Sequence, residues 1–380
     1  MKAVHRCWAE IDLDALRENL LWIRHRVGPA VRILTVVKAD AYGHGLRQIA
    51  ALLMQSGTDF FGVANLGEAH AIRSVGRGWP ILMLGGLLPE EVEAAVREEI
   101  RPTLSSLEEA AAFSREAVRQ RKHLPVHLKV DTGMGRLGVA PAQALQLLEA
   151  IPTLPGLKLE GLFTHFSSAE EDASFSSTQA RRFRRVLEEA ARLGLEIPLI
   201  HASNSAAILH QPDSWHSLVR PGLLVYGVAP QGRRVDATRL QQKLHPALSF
   251  KCRVSLIKQI PKGTPLSYGR TFVSSRPMRV ATLTAGYGDG YLRAGSNRAR
   301  VLVGGRRCRV LGRITMDQMI VDVSGVEAVK PGDEAVLIGS QGGEALGAAE
   351  VAAWARTVPW EVLTAITHRV PRLYRGGAAA

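Results

Sequence analysis

The feature that most constrains the fold is an alternation of short apolar runs and amphipathic segments over about 220 residues. Apolar runs of this length are typical of buried parallel strands, and the segments between them have helical spacing. Eight such runs favour a closed (β/α)8 (TIM) barrel, with an open doubly wound sheet as the alternative. The predicted strands are Ile33–Lys38, Phe60–Ala64, Ile81–Leu84, Arg101–Leu104, Val126–Asp131, Lys158–His165, Pro198–Ala202 and Leu218–Tyr226.

The rest of the chain has a different pattern. After Pro230–Gly232, strand-like runs follow one another with glycine turns between them, and Ala348–Arg356 is the clear helix. We therefore predict an α/β protein with an N-terminal (β/α)8 barrel, residues 1–240, and a mostly β C-terminal domain, residues 241–380. The strands predicted for the second domain are Phe250–Ile260, Arg279–Leu283, Arg300–Val303, Arg307–Leu311, Met319–Val323 and Glu334–Ile338.

Composition limits the partners. The formal net charge of +13 comes from arginines scattered along the chain without interleaved aromatic residues, which argues against nucleic acid and favours an anionic cofactor and a carboxylate substrate. The three cysteines have no metal-binding or disulfide spacing, so we expect no metal and a reducing cytoplasm. No apolar run approaches the roughly 20 residues of a membrane span, so we expect no membrane association.

The first predicted strand ends in a lysine. A lysine at the end of a barrel strand is half desolvated, which lowers its pKa, and the neutral amine can condense with a carbonyl. Tyr42 follows Lys38 by four residues, close to two glycines where a phosphate could bind. Position alone favours the alternative that Lys38 extends its ammonium group into solvent.

Other polar residues follow later strands of the predicted barrel, where barrel enzymes place their catalytic groups. The arginine after the fifth strand suits the bidentate capture of a carboxylate. These residues are Arg136 after strand five, His165 at strand six, Asn204 and Ser205 after strand seven, and Arg220 and Gly222 at strand eight.

The segment around Arg136 also fits a dinucleotide-binding pattern, Gly133-x-Gly135-x-x-Gly138, with Glu160 about 20 residues further on. In that motif the third glycine belongs to the helix. Here Pro141 indicates that the helix begins after the motif. A nicotinamide-dependent oxidoreductase is therefore a distant alternative.

The string Val-Val-Lys-Ala-Asp-Ala-Tyr-Gly-His-Gly around Lys38 resembles the pyridoxal-phosphate lysine motif of alanine racemases. In the second domain, Pro265–Phe272 is similar to the family's catalytic-tyrosine segment, and Gly312–Gln318 to its substrate-side loop, with Thr315 where many members have cysteine. The resemblance extends from the first helix to Val370–Arg375, nearly the whole chain.

The resemblance implies the role of each site residue. Lys38 would hold pyridoxal 5'-phosphate as a Schiff base, Tyr268 would be the second base, and Lys129 matches a lysine that is carbamylated in some members. The phosphate would be bound by Tyr42, Ser205, Gly222 and Tyr374, and Arg220 would face the pyridine nitrogen. The substrate carboxylate would be held by Arg136 and the Met316 backbone. His165 would bridge Tyr268 and Arg220, and Asn204 would line the site.

The same resemblance implies an enzyme that interconverts L-alanine and D-alanine by two-base proton transfer through a pyridoxal-phosphate aldimine and supplies D-alanine for peptidoglycan. It also implies a homodimer in which Lys38 and Tyr268 meet across the subunit interface. A broad-specificity or serine racemase of the same fold is the main alternative. A same-fold decarboxylase and a non-catalytic pyridoxal-phosphate carrier are weaker ones, since no acidic clamp for a basic substrate is evident and a carrier has no second domain.

Overall fold

A computed structural model describes residues 5–232 and 237–377 of the chain. Its N-terminal part contains eight parallel strands in two arcs, ordered β4-β3-β2-β9 and β5-β6-β7-β8. A parallel bridge between Leu82 and Arg101 joins the arcs on one side, and a hydrogen bond from Arg220 N to Ser203 O joins them on the other. The predicted barrel is confirmed. Its strands are β2 Arg32–Val36, β3 Phe60–Val63, β4 Ile81–Met83, β5 Thr103–Leu104, β6 Leu124–Lys129, β7 Leu157–Phe163, β8 Leu199–His201 and β9 Leu218–Val219.

Helices cover the barrel, and side-chain caps fix where several of them begin. The Asn65 side chain accepts from Glu68 N, and Ser106 accepts from Glu109 N, so each satisfies a free N–H group of a first turn. These helices are Leu13–Val27, Leu46–Gln55, Leu66–Val75, Val92–Arg97, Leu107–Arg119, Pro141–Ala150, Ala173–Arg192 and Ser205–His210.

The last barrel strand is shorter than predicted. It ends at Val219, because Pro221 has no N–H group to donate and the chain then turns, with Val225 N donating to Gly222 O. The backbone of Gly222 is thereby left beside the barrel mouth rather than inside a sheet ladder.

The C-terminal part is built from antiparallel strands. The long strand β10 pairs with β13 through its second half and with β17 through its first half, and β13, β16, β15, β14 and β17 pair in that order, so six strands close into a ring. The strands are β10 Leu248–Ile260, β11 Pro265–Leu266, β12 Phe272–Val273, β13 Met278–Leu283, β14 Arg300–Val303, β15 Arg306–Leu311, β16 Met319–Asp322, β17 Glu334–Gln341 and β18 Glu344–Leu346.

The predicted division of the chain at residue 240 separates the first strand from the sheet in which it pairs. Strand β1, Cys7–Asp12, belongs to the sheet of the second domain, where it pairs antiparallel with β10 and parallel with β19, Arg372–Arg375. The reason is the apolar face of β1: Ala9 and Ile11 are fully buried there. The first and last strands of the described chain are thus joined in one sheet, and the predicted domain bounds stay a prediction.

Three further helices lie in the second half of the described chain: Ala237–Gln241, Ala348–Ala355 and Pro359–Thr364. The helix Pro359–Thr364 begins with a proline at its first position, where the missing N–H is harmless, and was not predicted. Within the two described ranges, no helix has the length and apolar character needed to cross a membrane.

Candidate active site

A cavity of about 500 Å³ opens at the carboxyl ends of the barrel strands. Its volume is in the range of small-molecule and cofactor sites. Nine of the residues predicted from the sequence line it: Lys38, Tyr42, Lys129, Arg136, His165, Asn204, Ser205, Arg220 and Gly222.

The segment Lys38–Gly43, here called the lysine segment, follows β2 and carries Lys38 into this cavity. From Ala39 to Tyr42 the backbone is left-handed, with φ between 52° and 54° at four consecutive residues. Left-handed backbone costs roughly 1–2 kcal/mol per non-glycine residue, so other contacts have to stabilise it. Glu68 supplies one, because its carboxylate accepts from Ala39 N at 2.6 Å, and Asp40 supplies another by accepting from Leu46 N at 2.7 Å.

The surroundings of Lys38 favour its neutral amine. Burial lowers the pKa of this lysine, the nearby Arg136 guanidinium lowers it further, and Glu68 opposes the shift. A cavity lysine with a lowered pKa is suited both to condensation with a carbonyl and to proton abstraction.

A small oxygen- and N–H-rich corner lies next to Gly222. Gly222 N donates to Ser205 Oγ at 2.9 Å, and a Cβ atom on Gly222 would stand 2.5 Å from Tyr42 Oη. Asn204 starts the helix Ser205–His210 by accepting from Ala207 N at 3.0 Å. Two hydroxyls, backbone N–H groups and a helix start thus converge on one point, which suits a phosphate group.

Arg220 is buried against the same cavity. It donates to His201 Nδ1 at 2.8 Å and to the Thr164 and Ala202 carbonyl oxygens, and its Nη2 lies 3.2 Å from His165 Nδ1. Burial lowers the pKa of Arg220 to about 9. The pKa of His165 is held well below its usual value, first by burial and then by the Arg220 charge, so His165 is a neutral acceptor for this guanidinium.

The loop after β6 brings Arg136 to the mouth of the cavity. Asp131 organises this loop, since Oδ1 accepts from Gly133 N, Met134 N and Gly135 N at 2.8–3.1 Å. Lys129 lies beneath it, 2% exposed, and burial together with Arg136 lowers its pKa to about 8. The Gly133–Gly138 pattern forms this loop and the following helix begins at Pro141, as the sequence indicated.

Tyr268 and Met316 do not reach this cavity within one chain. Tyr268 is 71% exposed and Met316 52% exposed, both on the surface of the β domain. Tyr268 lies in a separate shallow groove with Arg313 and Thr315. The structure therefore brings the barrel residues together and leaves these two apart from them.

Tyr374, which the sequence predicts to bind the phosphate, is not among the residues that line the cavity. Its strand pairs with β1, and its hydroxyl donates to His44 O at 3.1 Å behind the lysine segment. Gly45 makes room for it, because a Cβ atom there would stand 1.9 Å from Tyr374 Oη. Tyr374 thus supports the backbone of the segment, and its contact with the phosphate stays a prediction.

Trp360 is a cavity residue that the sequence prediction missed. It lies at the start of the helix Pro359–Thr364, which packs against the lysine segment. Burial raises the pKa of the Tyr42 phenol, and the proximity of Trp360 opposes that rise. Pro359 signals a helix start, but nothing local indicates which surface the helix covers.

The fold and the cavity define a class: a (β/α)8-barrel protein whose cavity at the strand ends is lined by lysine, arginine and hydroxyl side chains. The alanine racemase N-terminal domain family matches residues 11–230, and the alanine racemase C-terminal domain family matches residues 247–374. The chain belongs to the alanine racemase family, whose members are pyridoxal-phosphate-dependent racemases.

Similarity to individual proteins covers almost the full length. The chain is 43% identical to an alanine racemase of Carboxydothermus hydrogenoformans, over 97% of this chain and 99% of the relative, and 41% identical to one of Halothermothrix orenii, over 97% and 96%. Among solved structures, the alanine racemase of Streptomyces lavendulae superposes with a TM-score of 0.92 at 34% identity, covering 99% of this chain and 98% of that one. The Bacillus anthracis enzyme with bound L-Ala-P has a TM-score of 0.90 at 33% identity, covering 99% and 97%.

Proposed function

We propose that the chain racemises alanine with Lys38 and Tyr268 as opposed bases. Racemisation removes a proton from one face of Cα and returns one to the other, which needs two proton-transfer groups on opposite sides. Bound pyridoxal phosphate supplies the electron sink for the pair left at Cα. The observation that carries the proposal is the cavity itself, which unites Lys38 with cationic and hydroxyl groups suited to cofactor and substrate.

The cavity fits pyridoxal phosphate. Tyr42, Ser205 and the N–H of Gly222 would hold the phosphate in the corner where a Cβ on the glycine would meet Tyr42 Oη at 2.5 Å. Arg220, fixed by neutral acceptors, would lie at the pyridine nitrogen. Asn204 and Trp360 would complete the wall.

The substrate carboxylate would bind at the mouth of the cavity. Arg136 is exposed there and presents a guanidinium fork that matches a carboxylate. Lys129 is buried beneath it with a pKa of about 8, and the neutral amine that this pKa makes available is the form that adds CO2 to give a carbamate and a proton. The carbamate would place negative charge beside Arg136 and orient it.

We further propose a homodimer in which the second domain of one subunit completes the cavity of the other. The support is the exposure of Tyr268 and Met316, which leaves aromatic and apolar surface uncovered on a face that carries a required base. A symmetric dimer gives two equivalent exchanges of this kind. In such a dimer His165 would contact both Tyr268 and Arg220.

In the cell, we propose that the enzyme works in the cytoplasm and supplies D-alanine for peptidoglycan. All three cysteines are free and buried, which fits a reducing compartment.

The decisive test is the visible spectrum of the purified protein together with D-alanine formation. We expect an absorbing protein that converts L-alanine to D-alanine, is bleached by borohydride and then carries the modification on Lys38. A colourless protein that added cofactor does not restore would contradict the proposal.

A further inference from the structure

A line of hydrogen bonds leads away from Arg220 through the barrel interior. His201 Nδ1 lies 2.8 Å from Arg220, and His201 Nε2 lies 2.9 Å from His127 Nδ1. His127 Nε2 then contacts Glu160 Oε2 at 3.1 Å, and Arg101 donates to the same carboxylate. These five residues come from neighbouring barrel strands or their ends and connect the cavity to the barrel wall.

The chemistry of the groups fixes the direction of every bond in this line. A guanidinium only donates, so His201 Nδ1 accepts and its proton is on Nε2. That proton is donated to His127 Nδ1, which leaves the His127 proton on Nε2 and directed at Glu160. A carboxylate is the acceptor this last bond requires, so the two imidazoles share one tautomer. Their pKa values fit, since burial lowers both and each ring is neutral.

The line is built into the core rather than formed by mobile side chains. His127 and His201 are fully buried, and the Phe163 ring stacks on His201 with centroids 4.6 Å apart and planes 6° apart. Gly161 leaves space for the His127 ring, because a Cβ atom there would stand 2.2 Å from His127 Nδ1.

Arg220 has no ion pair with any carboxylate in the described ranges, and its acceptors are two imidazoles and two carbonyl oxygens. A buried cation without an anionic partner is costly. We propose that Glu160 is the remote counter-ion of Arg220, acting through His127 and His201 to fix the guanidinium in the cavity. Glu160 is thus a positioning residue; its effect on catalysis rests on the proposed function.

The first test uses the protein without cofactor, so its outcome is independent of the proposed function. Nitrogen NMR of histidine-labelled protein, with His127→Gln and His201→Gln used for assignment, should show two neutral rings protonated on Nε2. In Glu160→Gln both ring signals should shift, since the amide keeps the acceptor but removes the charge. Nδ1-protonated rings, or rings unchanged by Glu160→Gln, would overturn the proposal.

The second test uses the loaded enzyme. Outer partners of metal-binding residues typically contribute about 10–100-fold, and by analogy we expect Glu160→Gln to lower kcat about tenfold with little change in KM for alanine. Glu160→Asp, which keeps the charge, should recover part of the loss. Glu10→Gln is the matched control: Glu10 is similarly buried and ion-paired with Lys251 in the β domain, and its removal should leave kcat unchanged.

The results would distinguish a role of Glu160 in stability alone from the proposed positioning of Arg220. If Glu160→Gln and Glu10→Gln lose equal thermal stability and neither changes kcat, Glu160 only stabilises the barrel. If Glu160→Gln does not fold, Glu160→Asp takes its place. Its kcat relative to the wild type and its histidine ring signals then decide between the two roles. An inactive wild-type protein with the expected ring signals would refute the proposed function and leave the hydrogen-bonded line intact.

Discussion

The barrel cavity and the Tyr268 surface of the β domain differ in how complete they are. In the cavity Lys38 is partly buried, Lys129 is buried, and Arg220 is buried and held by several hydrogen bonds to the surrounding fold. Tyr268 and Met316 stand on a surface with 71% and 52% exposure. One region is organised within a single chain, whereas the other would acquire its surroundings in the proposed dimer.

This difference predicts how substitutions in each region affect the stability and the activity of the protein. Substitutions in the cavity act on cofactor binding and on the protonation of Lys38, and they disturb a packed interior. Substitutions on the Tyr268 surface leave the fold of the chain intact, because exposed side chains contribute little to it. If the exposed surface carries the second base, its variants should be well folded and inactive.

The largest effect is expected from Lys38→Ala. Loss of the nucleophile and base should lower the rate of D-alanine formation by at least about 10³-fold and remove the absorption that borohydride bleaches. Lys158→Ala, an exposed lysine on β7, is the control and should keep wild-type activity. Retention of a tenth of the activity, with borohydride labelling another lysine, would assign the role elsewhere.

The next largest effect is expected from Tyr268→Phe. A lost general acid or base costs about 10²–10⁴-fold, and because Tyr268 is 71% exposed the variant should unfold at the wild-type temperature and bind cofactor normally. Rates of racemisation, thermal unfolding and cofactor titration check this. A loss of cofactor binding equal to the loss of rate would place Tyr268 in a different role.

Mixing Lys38→Ala with Tyr268→Phe tests whether the two regions meet across subunits. After random exchange about half of the dimers are heterodimers, and each has one site with both defects and one intact site, so about a quarter of wild-type activity should return. Sites formed within one chain would regain nothing. Proven heterodimers with background activity would therefore exclude Tyr268 from the neighbouring cavity.

Gly222→Ala tests how tightly the phosphate corner is built. The added methyl would stand 2.5 Å from Tyr42 Oη, and the Tyr42 ring, stacked on Tyr226 at 4.7 Å, has no room to retreat. We expect at least a tenfold weaker affinity for pyridoxal phosphate, about 1.4 kcal/mol, measured by titration of the cofactor-free protein. Gly325→Ala, with nothing within 4 Å, should bind normally. Equal affinities would remove Gly222 from the phosphate site.

Lys129 gives a pH dependence within the cavity. Burial and Arg136 lower its pKa to about 8, so the neutral amine becomes abundant as pH rises from about 7 to about 9, well below the range of an ordinary lysine. At fixed dissolved ¹³CO2, the carbamate signal should increase over this window and be absent in Lys129→Arg. That variant should raise KM for alanine about tenfold by leaving Arg136 unoriented. A signal independent of pH, or present in the variant, would contradict the assignment.

The sequence predicted what depends on local pattern. The strand and helix periods predicted the barrel, and because Lys38, Arg136 and Arg220 lie at strand ends, the barrel topology predicted that they share one rim, where all three line the cavity. The sequence did not predict that β1 joins the second domain, because the pairing of Trp8 with Lys251 joins residues far apart in the chain. The left-handed turn after Lys38 was missed for a similar reason: distant contacts, not the propensities of the local residues, stabilise it.

The smallest effect should come from Tyr374→Phe, which tests the one predicted cofactor residue that the structure places elsewhere. The change removes the hydrogen bond to His44 O, a loss of about 1 kcal/mol in the free energy of unfolding. Cofactor affinity and racemisation should stay near wild type, because the hydroxyl lies behind the lysine segment. A tenfold loss in cofactor affinity would instead return the phosphate role to Tyr374.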